Sequence, residues 1–133
     1  MTSQITRANP ANLKNMRSNI YNHYIRVDNP KSLIFLSGQL SRNGEGEVVG
    51  IGDMAEQTRQ VIRNMQTILQ DAGGSLEDIV SIVVYTTDIR QFNEIVAARM
   101  EFFNKNLPTS TIVEVAHLAD PRFLIEFQAI AAL

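Results

Sequence analysis

From Phe123 to Ala131 the chain reads Phe-Leu-Ile-Glu-Phe-Gln-Ala-Ile-Ala. The run is short, rich in Phe and Ile and roughly alternating, which predicts a β-strand. Phe123, Ile125, Phe127, Ala129 and Ala131 then point one way, and Leu124, Glu126, Gln128 and Ile130 the other. Such a strand fits a sheet with one sealed face and one face of mixed character. Burying a bare carboxylate is very costly. Glu126 is therefore either solvent-facing on a half-exposed sheet, or paired, hydrated or hydrogen-bonded at a subunit seam or in a pocket. Periodicity alone favours the solvent-facing reading.

The other elements follow from period and punctuation. Residues 1–19 are polar and contain Pro10, which reads as an irregular arm. Tyr24 to Val27 and Leu33 to Ser37 are short β-type runs around Asp28-Asn29-Pro30-Lys31-Ser32, which reads as a hairpin. A second turn at Asn43-Gly44-Glu45-Gly46 precedes a short strand at Glu47-Val48-Val49. Val61, Ile62, Met65, Ile68, Leu69 and Ala72 form one apolar stripe, predicting a helix from Met54 to Ala72. Asp53 is its N-cap and Gly73-Gly74 its stop. Ser75 and Asp78 have capping-box spacing. A β-branched strand, Ile79 to Thr87, has a centre, Ile82-Val83-Val84, that reads as buried on both faces. Asp88 caps a second helix, Arg90 to Asn104, with Phe92, Ile95, Val96, Phe102 and Phe103 inward. Pro108 precedes a strand at Thr111 to Val115, and Ala119-Asp120-Pro121 turns into the last one.

The order predicts an α+β fold, a mixed sheet of five to six strands with two helices on one face. The opposite face must be wet or covered by self-association. A length of 133 residues suits a single domain with one core. With 44% hydrophobic and 20% charged residues the chain is globular. Net charge is −2 and the basic residues are dispersed, so nucleic acid is not the expected partner. The absence of cysteine excludes disulfides, thiolate nucleophiles and zinc–thiolate sites. No apolar signal core opens the chain and no stretch approaches the ~20 residues of a membrane span. The cytoplasm is the expected location.

Few groups are left to carry chemistry. His23 and His117, the two histidines, have no nearby ligand-type partner, so no metal site is expected. The glycine pairs at Gly44/Gly46 and Gly50/Gly52 lack phosphate-loop spacing and read as turns. Ser37 and Ser110 lie outside any nucleophile elbow and read as strand-end hydroxyls. Arg99 and Arg122 are candidates for gripping a carboxylate. Their plainer roles are a helix-face ion pair and a turn residue. Tyr21 and Tyr24 are strand aromatics or pocket phenols.

Phe35-Leu36-Ser37-Gly38-Gln39, Gln57-Thr58-Arg59-Gln60 with Asn64, and Asp78-Ile79-Val80 recur in order and spacing with Phe102-Phe103, Pro108, Val113-Glu114-Val115-Ala116 and Ile125-Glu126 with Ala129-Ile130-Ala131. Together, from Tyr21 to Leu133, they resemble the Rid family (YjgF, reactive intermediate deaminase, L-PSP). Residues 1–20 match poorly. The resemblance implies a chorismate-mutase-like subunit and a homotrimer that buries the open sheet face and builds clefts between subunits. It implies cofactor-free hydrolysis of a small enamine or imine, such as 2-aminoacrylate, to a keto acid and ammonia. Glu126 corresponds to the family's catalytic carboxylate. Tyr21, Ser37, Gly38, Ser110, Thr111 and Ile112 correspond to the substrate's surroundings.

Three departures bear on activity. Ser110 stands where the family's carboxylate-gripping Arg falls, Val96 stands where an Asn is expected, and the loop from Phe103 to Pro108 is short. A hydroxyl in place of a bidentate guanidinium removes a contact worth about 1.5–3 kcal/mol. The alternative reading is thus a catalytically silent trimer that binds a metabolite or a protein. Ser41-Arg42, Val48-Val49-Gly50 and the extra residue in the tail from Leu118 to Glu126 look closer to the 2-aminomuconate deaminase-like branch. Relatives were also named L-PSP endoribonucleases.

Overall fold

The computed structural model describes residues 2–133. Six strands and two α-helices follow in the order β1 (Gln4–Ala8), β2 (Tyr24–Asp28), β3 (Leu33–Gln39), α1 (Met54–Asp71), β4 (Ile79–Thr86), α2 (Phe92–Met100), β5 (Thr109–Glu114) and β6 (Ile125–Ala132). Short 3₁₀ turns at Leu76–Asp78 and Ile89–Gln91 lead into β4 and α2. The main sheet has the order β3-β6-β4-β5 and is mixed: β4 and β5 run parallel, joined by α2, and the other pairs are antiparallel. The α+β class, the mixed sheet and the two helices match the expectation; the six strands divide between this four-stranded sheet and a two-stranded β1-β2 sheet.

The strand pairing differs at the N-terminus. Residues 4–8 are a strand rather than irregular arm, and they pair antiparallel with β2. The predicted hairpin between β2 and β3 is absent; β3 pairs with β6 instead. Arg7 explains how a polar arm becomes ordered. Its guanidinium donates to Leu107 O at 2.8 Å, Glu77 O at 2.9 Å and Ile79 O at 3.3 Å, tying β1 to the loops that feed β4 and β5. The predicted strand at 47–49 is only a single bridge, Arg42 to Val48.

Helix α1 forms as its stripe predicts. Val61, Ile62, Met65 and Leu69 are fully buried against β3 and β6. Asp53 accepts the Glu56 N–H at 3.0 Å, and Gly73, at φ +90°, closes the C-terminus in a conformation that favours glycine. Helix α2 is shorter than predicted. Asp88 caps the 3₁₀ turn rather than the helix, and the helix ends at Met100. Phe103 still enters the core from beyond the helix end.

Burial on β6 alternates as predicted: Ile125, Phe127, Ala129 and Ala131 are buried, whereas Glu126 and Ile130 are half-buried and Gln128 is exposed. Only one face of β4 is sealed. Ile82 and Val84 are buried under the helices, but Val83 and Tyr85 are half-buried on the other face. That open face carries exposed Phe35 (70%) and Leu33 (51%), a costly display of apolar surface.

Candidate active site

Glu126 lies on the open face, directly across from Tyr85 of β4. On its other side the register of β3 slips between Leu36 and Gln39, and the irregularity carries Gly38 toward it. A Cβ built on Gly38 would lie 2.7 Å from Glu126 Cδ and closer still to Oε2. Gly38 thus leaves the space that the carboxylate occupies. Ser37 is exposed beside it.

Helix α1 sets where β6 begins. Gln57 is fully buried, and its Oε1 accepts the Leu124 N–H at 2.8 Å. Its Nε2 donates to Arg122 O at 2.8 Å and Gly50 O at 3.1 Å. Leu124 O in turn accepts the Thr86 hydroxyl at 2.9 Å. The backbone two residues before Glu126 is therefore held from both sides, so the carboxylate starts from a fixed point.

A second group of predicted residues gathers on the helix side of the sheet. Ser110 pairs with Ile82 and Ile112 with Val84, so both point under the helices, whereas Thr111 is exposed on the opposite side. Ser110, Ile112, Tyr21 and Val96 line a cavity of about 100 Å³ between α2, β5 and the segment before β2. Within the chain the sheet separates this group from Ser37, Gly38 and Glu126.

The same cavity contains Arg99, only 4% exposed. Its Nη1 donates to Ser110 Oγ at 2.8 Å and its Nη2 to Ile20 O at 3.2 Å, while Nε has no partner. Burial pushes its pKa down to about 10, which still leaves it a cation at neutral pH. The expected helix-face ion pair is absent, because α2 turns this residue inward. Arg99 lies four residues after Ile95 and three after Val96, and that spacing was a readable signal of an inward position. Arg122 is the turn residue expected: it grips Asp120 at 2.8 and 3.0 Å and holds that carboxyl well below its ordinary range.

The histidines sit apart. His23 meets the Lys14 carbonyl and His117 is an exposed loop residue. Among the described residues no three His, Asp or Glu side chains converge. Gly44 and Gly46 belong to a turn that Asn43 organises by accepting the Glu45 and Glu47 N–H groups. Among the described residues no helix is long and apolar enough to cross a membrane.

Two helices over one face of a mixed sheet, with a carboxylate lodged against a glycine on the other, define a chorismate-mutase-like α+β fold. The family model described as Endoribonuclease L-PSP matches residues 14–133, and the chain belongs to that family, which is the Rid (YjgF) family. It is 40% identical over 112 residues to a RutC family protein of Pyrococcus abyssi, covering 84% of each chain. It is 32% identical over 108 residues to a protein of Acinetobacter baylyi named 3-aminoacrylate deaminase, covering 81% of this chain and 85% of that one. A solved structure of a conserved Rid family protein from Yersinia pestis superimposes with a TM-score of 0.88 at 27% identity, over 97% of this chain and 98% of that one.

Proposed function

We propose that the protein is a hydrolytic deaminase of a small enamine or imine, acting in a crevice between the subunits of a homotrimer. The observation that carries this reading is Glu126, half-buried beside a glycine on the sheet face that the helices leave open. The Acinetobacter baylyi relative supports it, since 3-aminoacrylate is an enamine. The exposed Phe35 and Leu33 support burial of that face by further copies. A subunit interface also gives residues on opposite sides of one sheet a way to meet, edge of one copy to face of the next.

The chemistry asks for few groups. The enamine tautomerises to an imine, water adds to the C=N carbon, and the carbinolamine loses ammonia to leave a carbonyl. Glu126 holds the attacking water and takes its proton, which then leaves on the nitrogen. The substrate is intrinsically reactive, so orientation supplies much of the rate. The cytoplasm and a single domain over residues 1–133 complete this reading.

Ammonia release from 2-aminoacrylate and 3-aminoacrylate generated in place, and from 2-aminomuconate, tests it. Glu126→Gln is expected to lower kcat/KM by about 10²–10⁴. Equal, background rates for wild type and variant on all three reject it. Light scattering checks the assembly, with three times 14.9 kDa expected.

Two observations favour the second reading, a catalytically silent trimer that binds a metabolite or a protein. Val96 is buried in the cavity and Ser110 is engaged by Arg99. A ligand that raises the melting temperature and is never turned over would decide for it.

A further inference from the structure

Among the described residues, Arg99 is a buried cation without an anion. An isolated charge is among the most expensive groups to enclose, and buried arginines are normally paired. Three elements surround this one. From α2 come Phe92, Ile95 and Val96; from β5 come Ser110 and Ile112; from the N-terminal segment come Arg17, Ile20 and Tyr21. None is a carboxylate, and one is a second cation. The acidic residues of α2 and its C-cap are exposed, and Glu101 is already paired with Arg59 at 2.9 Å. What compensates Arg99 is one hydroxyl, one carbonyl and the Phe103 ring, 5.8 Å away. Its Nε is buried and unbonded. A guanidinium held so firmly by neutral partners, beside empty space, is a receptor for an anion.

We infer that the cavity between α2, β5 and the N-terminal segment is a carboxylate-binding site, in which Arg99 supplies the charge and Ser110 a hydroxyl to a small organic acid. The volume of about 100 Å³ holds a short monocarboxylate, not a nucleotide. Ile20, Phe92, Ile95, Val96 and Ile112 give the lining an apolar part, which suits a short carbon chain behind the carboxylate. Tyr21 and Arg17, both half-buried, border the site and connect it to solvent. The pairing of Ser110 with an arginine on the neighbouring helix also gives a physical reason why β5 needs no arginine of its own at this position. The inference deepens the proposed function by naming the group through which substrate is held, and it stands on binding alone.

The test is titration of the full-length protein with sodium propionate, with propionamide as the neutral analogue and phosphate as a competing anion, followed by NMR shifts at Ser110 and Ile112 and by calorimetry. Propionate is expected to bind and move both signals, and propionamide to do neither. Arg99→Met is expected to weaken propionate at least ~10-fold, with Arg99→Lys intermediate because a point charge remains without the fork. Glu126→Gln is expected to keep propionate binding while losing turnover, so loss of the deaminase reading leaves this one standing. Unchanged propionate binding in Arg99→Met, or propionamide binding as well as propionate, overturns the inference. So does preference for phosphate over propionate. If Arg99→Met instead converts the assembly to monomers, the missing anion belongs to a second copy and the inference fails.

Discussion

Gly38 and Glu126 share one space: the position of a Cβ on Gly38 overlaps the Glu126 carboxylate, 2.7 Å from its Cδ. The constraint is packing and not backbone, since Gly38 is not among the residues with positive φ. The register slip in β3 and the strand alternation of β6 meet at this point. A side chain there would push the carboxylate away from Tyr85 or out of the sheet face.

Gly38→Ala is therefore expected to fold normally and work poorly. An ångström of displacement at a catalytic group costs on the order of 100-fold in rate. Melting temperature and ammonia release, measured on the same preparation, separate the two effects. A variant with full deaminase activity would mean that the carboxylate need not sit where the glycine leaves room.

Gln57→Leu tests the support behind Glu126. The substitution keeps volume but strips three hydrogen bonds, leaving the Leu124 N–H and the Arg122 and Gly50 carbonyls to find other partners. Each buried group left unsatisfied costs about 1–3 kcal/mol. Denaturant unfolding is expected to show a loss of roughly that size, and turnover is expected to fall further because β6 no longer begins at a fixed point. Unchanged stability would show that the backbone at Leu124 is held adequately by Thr86 and Thr87.

Local pattern explains which parts of the molecule were legible. The stripe on α1, its Asp53 cap and the alternation of β6 are each written within a dozen residues, and all three appear in the structure. Pairing partners are not local. Nothing in Tyr24 to Asp28 says that it joins residues 4–8 rather than β3, because the side chains that tie the arm down, Ser3 and Arg7, reach carbonyls far along the chain. The site divides in the same way. Glu126 stood out because a carboxylate interrupts an apolar strand. Tyr85 did not, since cross-strand register is invisible in sequence. Arg99 was visible as a residue but misplaced, because an exposed ion pair is the commoner fate of a helical arginine.

Acid titration follows from Asp88. Its carboxylate accepts from Arg90 Nε at 2.8 Å, from the Arg90 N–H and from Gln91, which cap the turn leading to α2. The Arg90 side chain foremost, then Gln91, holds its pKa down to about 2 against an ordinary 3.8. A carboxyl with a lowered folded pKa stabilises fully above the unfolded value, and that contribution is lost as pH falls from about 4 to about 2. Stability curves of wild type and Asp88→Asn are expected to differ at neutral pH and to converge near pH 2. Parallel curves throughout that window would remove Asp88 from the account.

Keeping Arg99 buried has a cost. Burial lowers the Arg99 pKa to about 10, which corresponds to a penalty on the order of 3 kcal/mol for the enclosed charge. The two hydrogen bonds and the Phe103 ring return about 1 kcal/mol each. Arg99→Met keeps most of the volume, removes the charge and forfeits those contacts. Unfolding in the absence of any organic acid is therefore expected to show Arg99→Met about as stable as wild type. The shift is lowered for a base, so the penalty is fully present below pH about 10 and relieved only above it. The difference between variant and wild type is accordingly expected to be flat across neutral pH. Ile62→Ala, a plain core truncation on α1, is expected to lose about 2–5 kcal/mol in the same measurement. If Arg99→Met loses as much as Ile62→Ala, the guanidinium is a structural tie between α2 and β5. If it loses nothing, its charge is retained for something other than folding.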